Sequence, residues 1–289
     1  MKTTINPDLI LYICTGLYKE YFSAFRSSLD AHLVSSVGYE VAVFTDDPDY
    51  FCTYKDDPRV RIVQIKQYPW PAITLFRYQY FLWYLTHSKS TYRNCIFFNS
   101  NAQLAAPFNI DSLLDGVDFL SVEHPGFISS TPQYFPLERS LISSAYIPFG
   151  REPKVYSQGF LVGGNSQAFM RMCKTIAMWL LEDLGRKNYP IFHDESYQNK
   201  YFIQEQVNYL PPAYAAPEEM LVVGKTVVLS RNKPGAIQAK KNDPIQSAIN
   251  RFYQVSRRLK MPIVCFRKTK SLEVAAADPY LCQFASKAS

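Results

Sequence analysis

Asp194 and Glu195 stand side by side in the run Phe192-His193-Asp194-Glu195-Ser196-Tyr197-Gln198-Asn199-Lys200-Tyr201. Adjacent carboxylates repel each other, so a fold rarely holds them beside an apolar approach (Tyr189, Pro190, Ile191, Phe192) unless a ligand uses them. Acidic residues are also common at helix starts, and a second reading makes one of the pair the cap of a helix that begins near Ser196. A second constellation is Asn99-Ser100-Asn101, directly after the apolar run Cys95-Ile96-Phe97-Phe98. Two amides can hydrogen-bond a polar ligand, or they can simply turn the chain at a strand end. Without a carboxylate they make a poor seat for a hard divalent cation, which prefers charged oxygens.

The elements that would position these groups are legible as alternating patterns. Apolar runs rich in β-branched and aromatic residues fall at Leu9–Cys14, Glu40–Thr45, Arg61–Ile65, Asn94–Phe98, Val117–Val122 and Phe160–Val162. Helical periodicity fills Tyr18–Leu33, Thr74–Thr86 and Ser166–Leu184. Strands alternating with helices predict an α/β domain with a largely parallel sheet, and ligands then bind at the carboxyl ends of the strands. Thr15-Gly16 and Asn99-Ser100-Asn101 both sit at such ends.

Several blocks, in order along residues 8–240, resemble glycosyltransferase family six, which contains the blood-group A and B transferases, α-1,3-galactosyltransferase and bacterial relatives. His193-Asp194-Glu195-Ser196 with Asn199-Lys200-Tyr201 is similar to its H-D-E-S-x-x-N-K-Y signature. Tyr12 to Tyr18 resembles its first strand and nucleotide-contacting turn. Trp70-Pro71-Ala72-Ile73-Thr74-Leu75-Phe76-Arg77 resembles a bacterial W-P-x-x-T-L-F-R stretch. His124-Pro125-Gly126-Phe127, Phe135 to Arg139, Ala145 to Pro148 and Gly163-Gly164 complete the series. The resemblance implies a single-domain, Rossmann-like nucleotide-sugar fold of the A type over residues 1–243. It implies a retaining α-1,3-glycosyltransferase that moves galactose or N-acetylgalactosamine from a UDP-sugar to a galactose-terminated glycan.

By the same resemblance Glu195 is the catalytic residue beneath the anomeric carbon. It would serve either a covalent intermediate or front-face attack on an oxocarbenium-like centre. Asp194 would bind donor hydroxyls. The donor site would also include Ile13, Cys14, Tyr18, Arg77, Asn99, Asn101, Gln158, Gly159 and Phe160, while His124, Phe192 and His193 would meet the acceptor. Most A-type enzymes carry D-x-D where this chain has Asn99-Ser100-Asn101, so no metal cofactor is expected. Departing phosphate charge must then meet protein cations. The basic run Arg231 to Lys241, with Arg231 and Lys233, resembles the family's diphosphate-covering segment; alternatively it is a solvated loop. Phe160 replaces a small residue in the strand that selects the donor sugar, and Phe192 replaces a tryptophan.

Composition bounds the rest. With 289 residues, 47% of them hydrophobic, the chain can bury one large core. Aromatics reach 15%, most of them ordinary core although such rings also line sugar sites. The six cysteines lack metal or disulfide spacing and read as reduced thiols. The start is not a signal peptide and no apolar run is long enough to span a bilayer, so a cytoplasmic enzyme is expected. Net charge is +6, and all of it lies beyond Pro244, where eight basic residues face two acidic ones. The body is neutral, which removes the argument for nucleic-acid binding. Residues 244–289 read as a basic extension whose Ile249–Lys260 stretch can form an amphipathic helix, either docking on an anionic membrane or packed on the domain. Two other functions fit less well: a catalytically degenerate carbohydrate-binding protein, and a metal-dependent nucleotidyltransferase.

Overall fold

The computed structural model describes residues 6–220, 225–233, 258–264 and 267. Its centre is a seven-stranded sheet built from β1 (Asp8–Ile13), β2 (Tyr39–Thr45), β3 (Val60–Gln64), β4 (Asn94–Phe98), β5 (Phe119–Glu123), β6 (Ser157–Asn165) and β7 (Val207–Leu210), in the order β7-β5-β6-β4-β1-β2-β3. Every pairing is parallel except those of β6, which runs against both β4 and β5. The expected α/β class and mostly parallel sheet are therefore present.

Central strands buried on both faces need continuous apolar runs rather than alternation. All five residues of β4 and the first five of β1 are buried. Helix α1 (Phe22–His32) covers one face through Phe22, Phe25 and Leu29, whose spacing makes one apolar stripe. Phe25 stacks on Tyr12 of β1 with ring centroids 4.4 Å apart. The other face is covered by α2 (Ala72–Leu75), α3 (Arg77–His87) and α4 (Ser166–Gly185), with Phe81, Phe169, Cys173 and Ile176 in one core.

Two boundaries differ from the sequence reading. The single helix expected over Thr74–Thr86 is broken at Phe76, which leaves helical geometry at ψ 2°. The helix expected from Tyr18 is entered through a 3₁₀ turn over Gly16–Tyr21. Gly16 takes a left-handed φ of +57° there, which glycine tolerates best. Four thiols, Cys14, Cys52, Cys95 and Cys173, are free; Cys265 and Cys282 lie outside the described residues.

The antiparallel strand matters most for function. Because β6 enters the sheet from the edge where the parallel strands leave it, its first residues join the strand-end crevice. Its later residues are tightly packed: a Cβ on Gly164 would lie 2.5 Å from the Asp118 carbonyl oxygen, a backbone atom that cannot swing aside. Most of the proposed Ile249–Lys260 helix lies outside the described residues. Ile263 does contact the body, donating its N–H to the Arg139 carbonyl at 3.0 Å and accepting from Leu141 N–H at 2.9 Å. Among the described residues no helix is long and apolar enough to cross a membrane. Gly164→Ala should destabilise the fold by about 1–3 kcal/mol through overpacking, read as a lowered denaturation midpoint at unchanged m-value.

Candidate active site

A cleft of about 840 Å³ opens at the carboxyl ends of β1 and β4 and the entry of β6. Its floor is the first turn of helix α5 (His193–Tyr201). The helix begins at His193, three residues before the expected start, and Phe192 is its N-cap without a side-chain capping bond. Asp194 and Glu195 therefore lie inside the first turn and do not cap it. Neither carboxylate is spent on ending the helix, which leaves both for other partners.

Those partners differ. Asp194 Oδ2 pairs with the Arg77 guanidinium, a buried ion pair in the cleft wall. Arg77 Nη1 also donates to the Gly159 carbonyl at 2.8 Å, and its Nε donates to the Thr74 carbonyl at 3.3 Å. The guanidinium rests 4.7 Å from the Phe97 ring centroid, a cation–π contact. Glu195 Oε2 instead accepts the Gly159 N–H at 2.9 Å. One glycine thus meets both carboxylate systems, through its N–H and its carbonyl. A Cβ on Gly159 would sit 2.9 Å from Asp194 Oδ2 and 3.3 Å from Arg77 Nη2. No side chain fits that approach without displacing the pair.

Burial raises both proton affinities. Asp194 is pushed up from 3.8 to about 6, by desolvation against the opposing pull of Arg77, with Glu195 adding to the rise. Glu195 is raised by desolvation, while the Gly159 N–H, the Tyr156 hydroxyl and Arg77 favour its ionised form. His193 is driven down to about 3 by burial and by the Arg267 charge, so its ring is neutral. It stacks on Tyr189 at 5.6 Å and meets Trp70 edge-on at 4.5 Å.

The helix is clipped to β6 by its own polar residues. Asn199 receives the Ser157 N–H at Oδ1 (2.8 Å) and donates from Nδ2 to the Ser157 carbonyl (2.8 Å) and the Glu195 carbonyl (2.9 Å). It imitates one residue of a strand partner, two residues before Gly159. Gln198 donates to Ser121 Oγ at 3.2 Å and to Ser157 Oγ, and accepts from the Tyr78 hydroxyl at 3.0 Å.

At the cleft's other end, Asn99 Nδ2 donates to Asn101 Oδ1 at 3.0 Å. Asn101 Nδ2 donates to the Arg231 carbonyl at 2.6 Å and to Ser230 Oγ at 3.1 Å. Asn101 is therefore consumed as a clip to the strand Val228–Ser230. Its only side-chain oxygen already accepts a hydrogen bond, and the donor set of two neutral amides does not suit a hard divalent cation.

Of the sequence-predicted residues, Ile13, Tyr18, Arg77, Asn99, Asn101, Gln158, Gly159, Phe160, Phe192, His193, Asp194, Glu195 and Lys233 line the cleft. Three do not. Cys14 is fully buried in the α1-side core, because it continues the buried face of β1 beyond the strand. Arg231 is held outside by Glu218 (Nε–Oε1 3.2 Å) and Gln103 (2.6 Å), which direct its charge away from the cleft. His124 packs on Phe127 and Tyr156, and its Nδ1 accepts the Gly126 N–H at 3.0 Å, so its ring closes its own turn. Lys233 lies 5.6 Å from the Tyr18 ring centroid, and desolvation of its ammonium lowers its pKa. The remainder of the expected basic segment, residues 234–241, lies outside the described residues.

Sequence reasoning misses Trp70, Thr74, Gln67, Tyr156 and the two clips Gln198 and Asn199. Trp70 lines the cleft with 58% of its surface exposed, in a stretch where the motif assigns a role to Arg77 alone. Polar residues three and four positions after Glu195 share its helix face, which is the available signal for Gln198 and Asn199.

A model of glycosyltransferase family 6 matches residues 3–242. An O-antigen biosynthesis glycosyltransferase of Escherichia coli is 31% identical over 211 residues, 73% of this chain and 88% of that protein. A globoside α-1,3-N-acetylgalactosaminyltransferase of Gallus gallus is 26% identical over 216 residues, 70% of this chain and 58% of that one. A histo-blood group ABO system transferase of Rattus norvegicus is 26% identical over 221 residues, covering 71% and 61%. The chain thus spans less than two thirds of these two vertebrate relatives.

Gly159→Ala should lower turnover by about 10²-fold or more, since a misplacement near 1 Å at a reacting centre has that effect. A circular dichroism spectrum matching wild type would show that the loss is local. Asp194 also predicts opposite pH trends. Its folded pKa of about 6 lies above the 3.8 of an exposed aspartate, so the native state binds the proton more tightly. Stability contributed by this group is present at low pH and falls as pH rises through that window. Activity should do the reverse, falling below about pH 6 as Asp194 takes a proton and its ion pair with Arg77 is lost, measured as kcat/KM against pH.

Proposed function

The chain belongs to glycosyltransferase family 6, and we propose that it transfers galactose or N-acetylgalactosamine from a UDP-sugar to a galactose-terminated glycan, forming an α-1,3 linkage with retention. The carrying observation is the division of labour between adjacent carboxylates at the strand-end cleft. Asp194 is neutralised by Arg77, which suits it to accept hydrogen bonds from donor-sugar hydroxyls. Glu195 has one oxygen held by the Gly159 N–H, which fixes the carboxylate through a backbone dipole rather than an ion pair. An anion so held is suited to face positive charge developing at the anomeric carbon. The same group serves both routes to retention, by bonding to that carbon or by stabilising it while acceptor and leaving group share one face.

One relative supports the linkage and sugar class, being named an α-1,3-N-acetylgalactosaminyltransferase. Phe160, buried in the cleft wall where the expected small residue would leave space, favours the smaller galactose over its N-acetylated counterpart. Neutral His193 and exposed Trp70 offer a ring platform and a hydrogen-bonding edge for the acceptor. The reaction is proposed to need no metal, given the amide donor set at Asn99 and Asn101. Phosphate charge would be met by Lys233 together with the basic residues that follow it. The basic residues beyond Pro244 other than the buried Arg267, seven against two acidic ones, support peripheral contact with an anionic membrane surface.

Incubation of the full chain with isotope-labelled UDP-galactose and a panel of galactosides tests this reading. Transfer to a galactoside supports it; UDP-sugar binding with neither transfer nor hydrolysis would instead mark a degenerate binding protein. Glu195→Gln should cut kcat by about 10²-fold or more at nearly unchanged UDP affinity, because the lost interaction belongs to the transition state. Wild-type turnover should survive EDTA and respond little to Mn²⁺. Activity abolished by EDTA and restored by Mn²⁺ would refute the metal-free proposal while leaving the transfer reaction standing.

A further inference from the structure

The turn that delivers Asp194 and Glu195 is held in an unfavourable conformation. His193, the first residue of α5, has φ +52°, in the left-handed region that a side chain with a Cβ rarely adopts. Such strain persists only where flanking structure over-determines it. On the helix side, Asn199 supplies that restraint through Ser157 and Glu195. On the approach side, restraint comes from beyond the stretch that matches the family.

Arg267 is almost wholly buried and grips the approach at successive points. Its backbone N–H donates to Asn188 Oδ1 at 3.0 Å, and its Nε donates to the Tyr189 carbonyl at 2.7 Å. Its Nη2 pairs with Glu138 Oε2 in a fully buried ion pair. The same Glu138 oxygen accepts the Ile191 N–H at 2.8 Å, while Oε1 accepts the Ser140 N–H at 2.8 Å. Asn188, Tyr189 and Ile191 are thereby pinned immediately before Phe192, and Ile263 packs on Ile191 and Phe192 from the same C-terminal segment. Pro190 then accepts the His193 N–H at 3.1 Å, closing the turn.

We propose that Arg267 is a positioning residue for the reaction: through its ion pair with Glu138 and its bond to the Tyr189 carbonyl, it holds the left-handed turn at His193 that aims Asp194 and Glu195 into the cleft. The basic extension, which the sequence presents as an appendage of the catalytic domain, then contributes to the site itself. A guanidinium is required because one planar fork must reach a carboxylate and a carbonyl at once, which an ammonium cannot do in the same geometry. The proposal rests on Glu195 being the catalytic residue, so it is tested after wild-type transfer and its loss in Glu195→Gln have been established.

The experiment uses the full chain with Arg267→Met, Arg267→Lys, and Glu138→Gln combined with Arg267→Met. Removing one member of a buried pair leaves an uncompensated charge, so the first variant loses thermal stability; the double variant removes that charge and recovers part of the loss, its single amide oxygen serving one of the two backbone N–H groups that Glu138 accepts. Assays run well below each variant's Tm, at saturating donor and acceptor. The expected result is a kcat about 10-fold or more below wild type in Arg267→Met and in the double variant, with both KM values changed by less than about 3-fold. Arg267→Lys should recover part of the rate. A double variant with wild-type kcat would overturn the proposal and leave Arg267 a brace of the fold alone. Raised KM with unchanged kcat would also overturn it, since positioning of Glu195 acts on the transition state. Absence of transfer by wild type would be a failure of the functional reading instead.

Discussion

Everything in this site is arranged around the close approach of helix α5 to the main chain of β6 at Gly159. The contact has no side chain on the strand, so a carboxylate and a guanidinium reach the backbone directly. Because β6, unlike the other strands of the seven-stranded sheet, runs against its neighbours, its first residues stand beside the last residues of β4, and Asn99 N–H bonds the Phe160 carbonyl at 2.9 Å. A parallel strand in that place would bring its carboxyl end instead, and the Ser157–Phe160 segment would leave on the opposite edge. Sheet direction thus decides which residues can share a cleft with the asparagine turn.

The approach also explains how two adjacent carboxylates coexist. Like charges so near would drive one to protonate in a low-dielectric pocket. Here Arg77 balances one, and the Gly159 N–H supports the other. Arg77 is thereby committed within the site, which changes the electrostatics of donor binding. Of the described residues lining the cleft, Arg77 and Lys233 are cationic, His193 being neutral. With Arg77 paired to Asp194, the diphosphate of the proposed donor would be met by Lys233 rather than by Arg77. Arg231, two residues away, is answered by Glu218 and cannot share that role without breaking an ion pair.

Much of this is legible in the amino-acid sequence. Strand positions for β1, β2 and β4 agree to within about two residues because continuous apolar runs in buried central strands are a strong local signal. The Asp194-Glu195 pair and Arg77 are legible as motifs. What escapes is long-range or conformational. The break at Phe76 directly precedes Arg77, whose partner Gly159 lies 82 residues away. The start of α5 at His193 depends on a left-handed residue, a conformation uncommon for any side chain with a Cβ and so not readable from local sequence. Cys14 and His124 sit in stretches that resemble the family yet turn away from the cleft, since a motif fixes chain position and packing decides which side chains face inward. Arg231 and Lys233 are two residues apart and point to different environments for the same reason.

The C-terminal segment shows the same limit from the other direction. Eight basic and two acidic residues beyond Pro244 read as a charged surface feature, because charge is what composition records. Arg267 is counted among those charges, yet it is buried against Glu138 beside the apolar contact of Ile263 with Ile191. A net charge assigns no residue to solvent. Within one short segment the contrast is visible: Ile263 is buried, while Met261 and Val264 are exposed on either side of it. The chain touches the body at selected positions, and those positions meet the residues that lead into the turn at His193. A segment outside the stretch that matches the family is in this way part of the scaffold that presents Asp194 and Glu195 to the cleft.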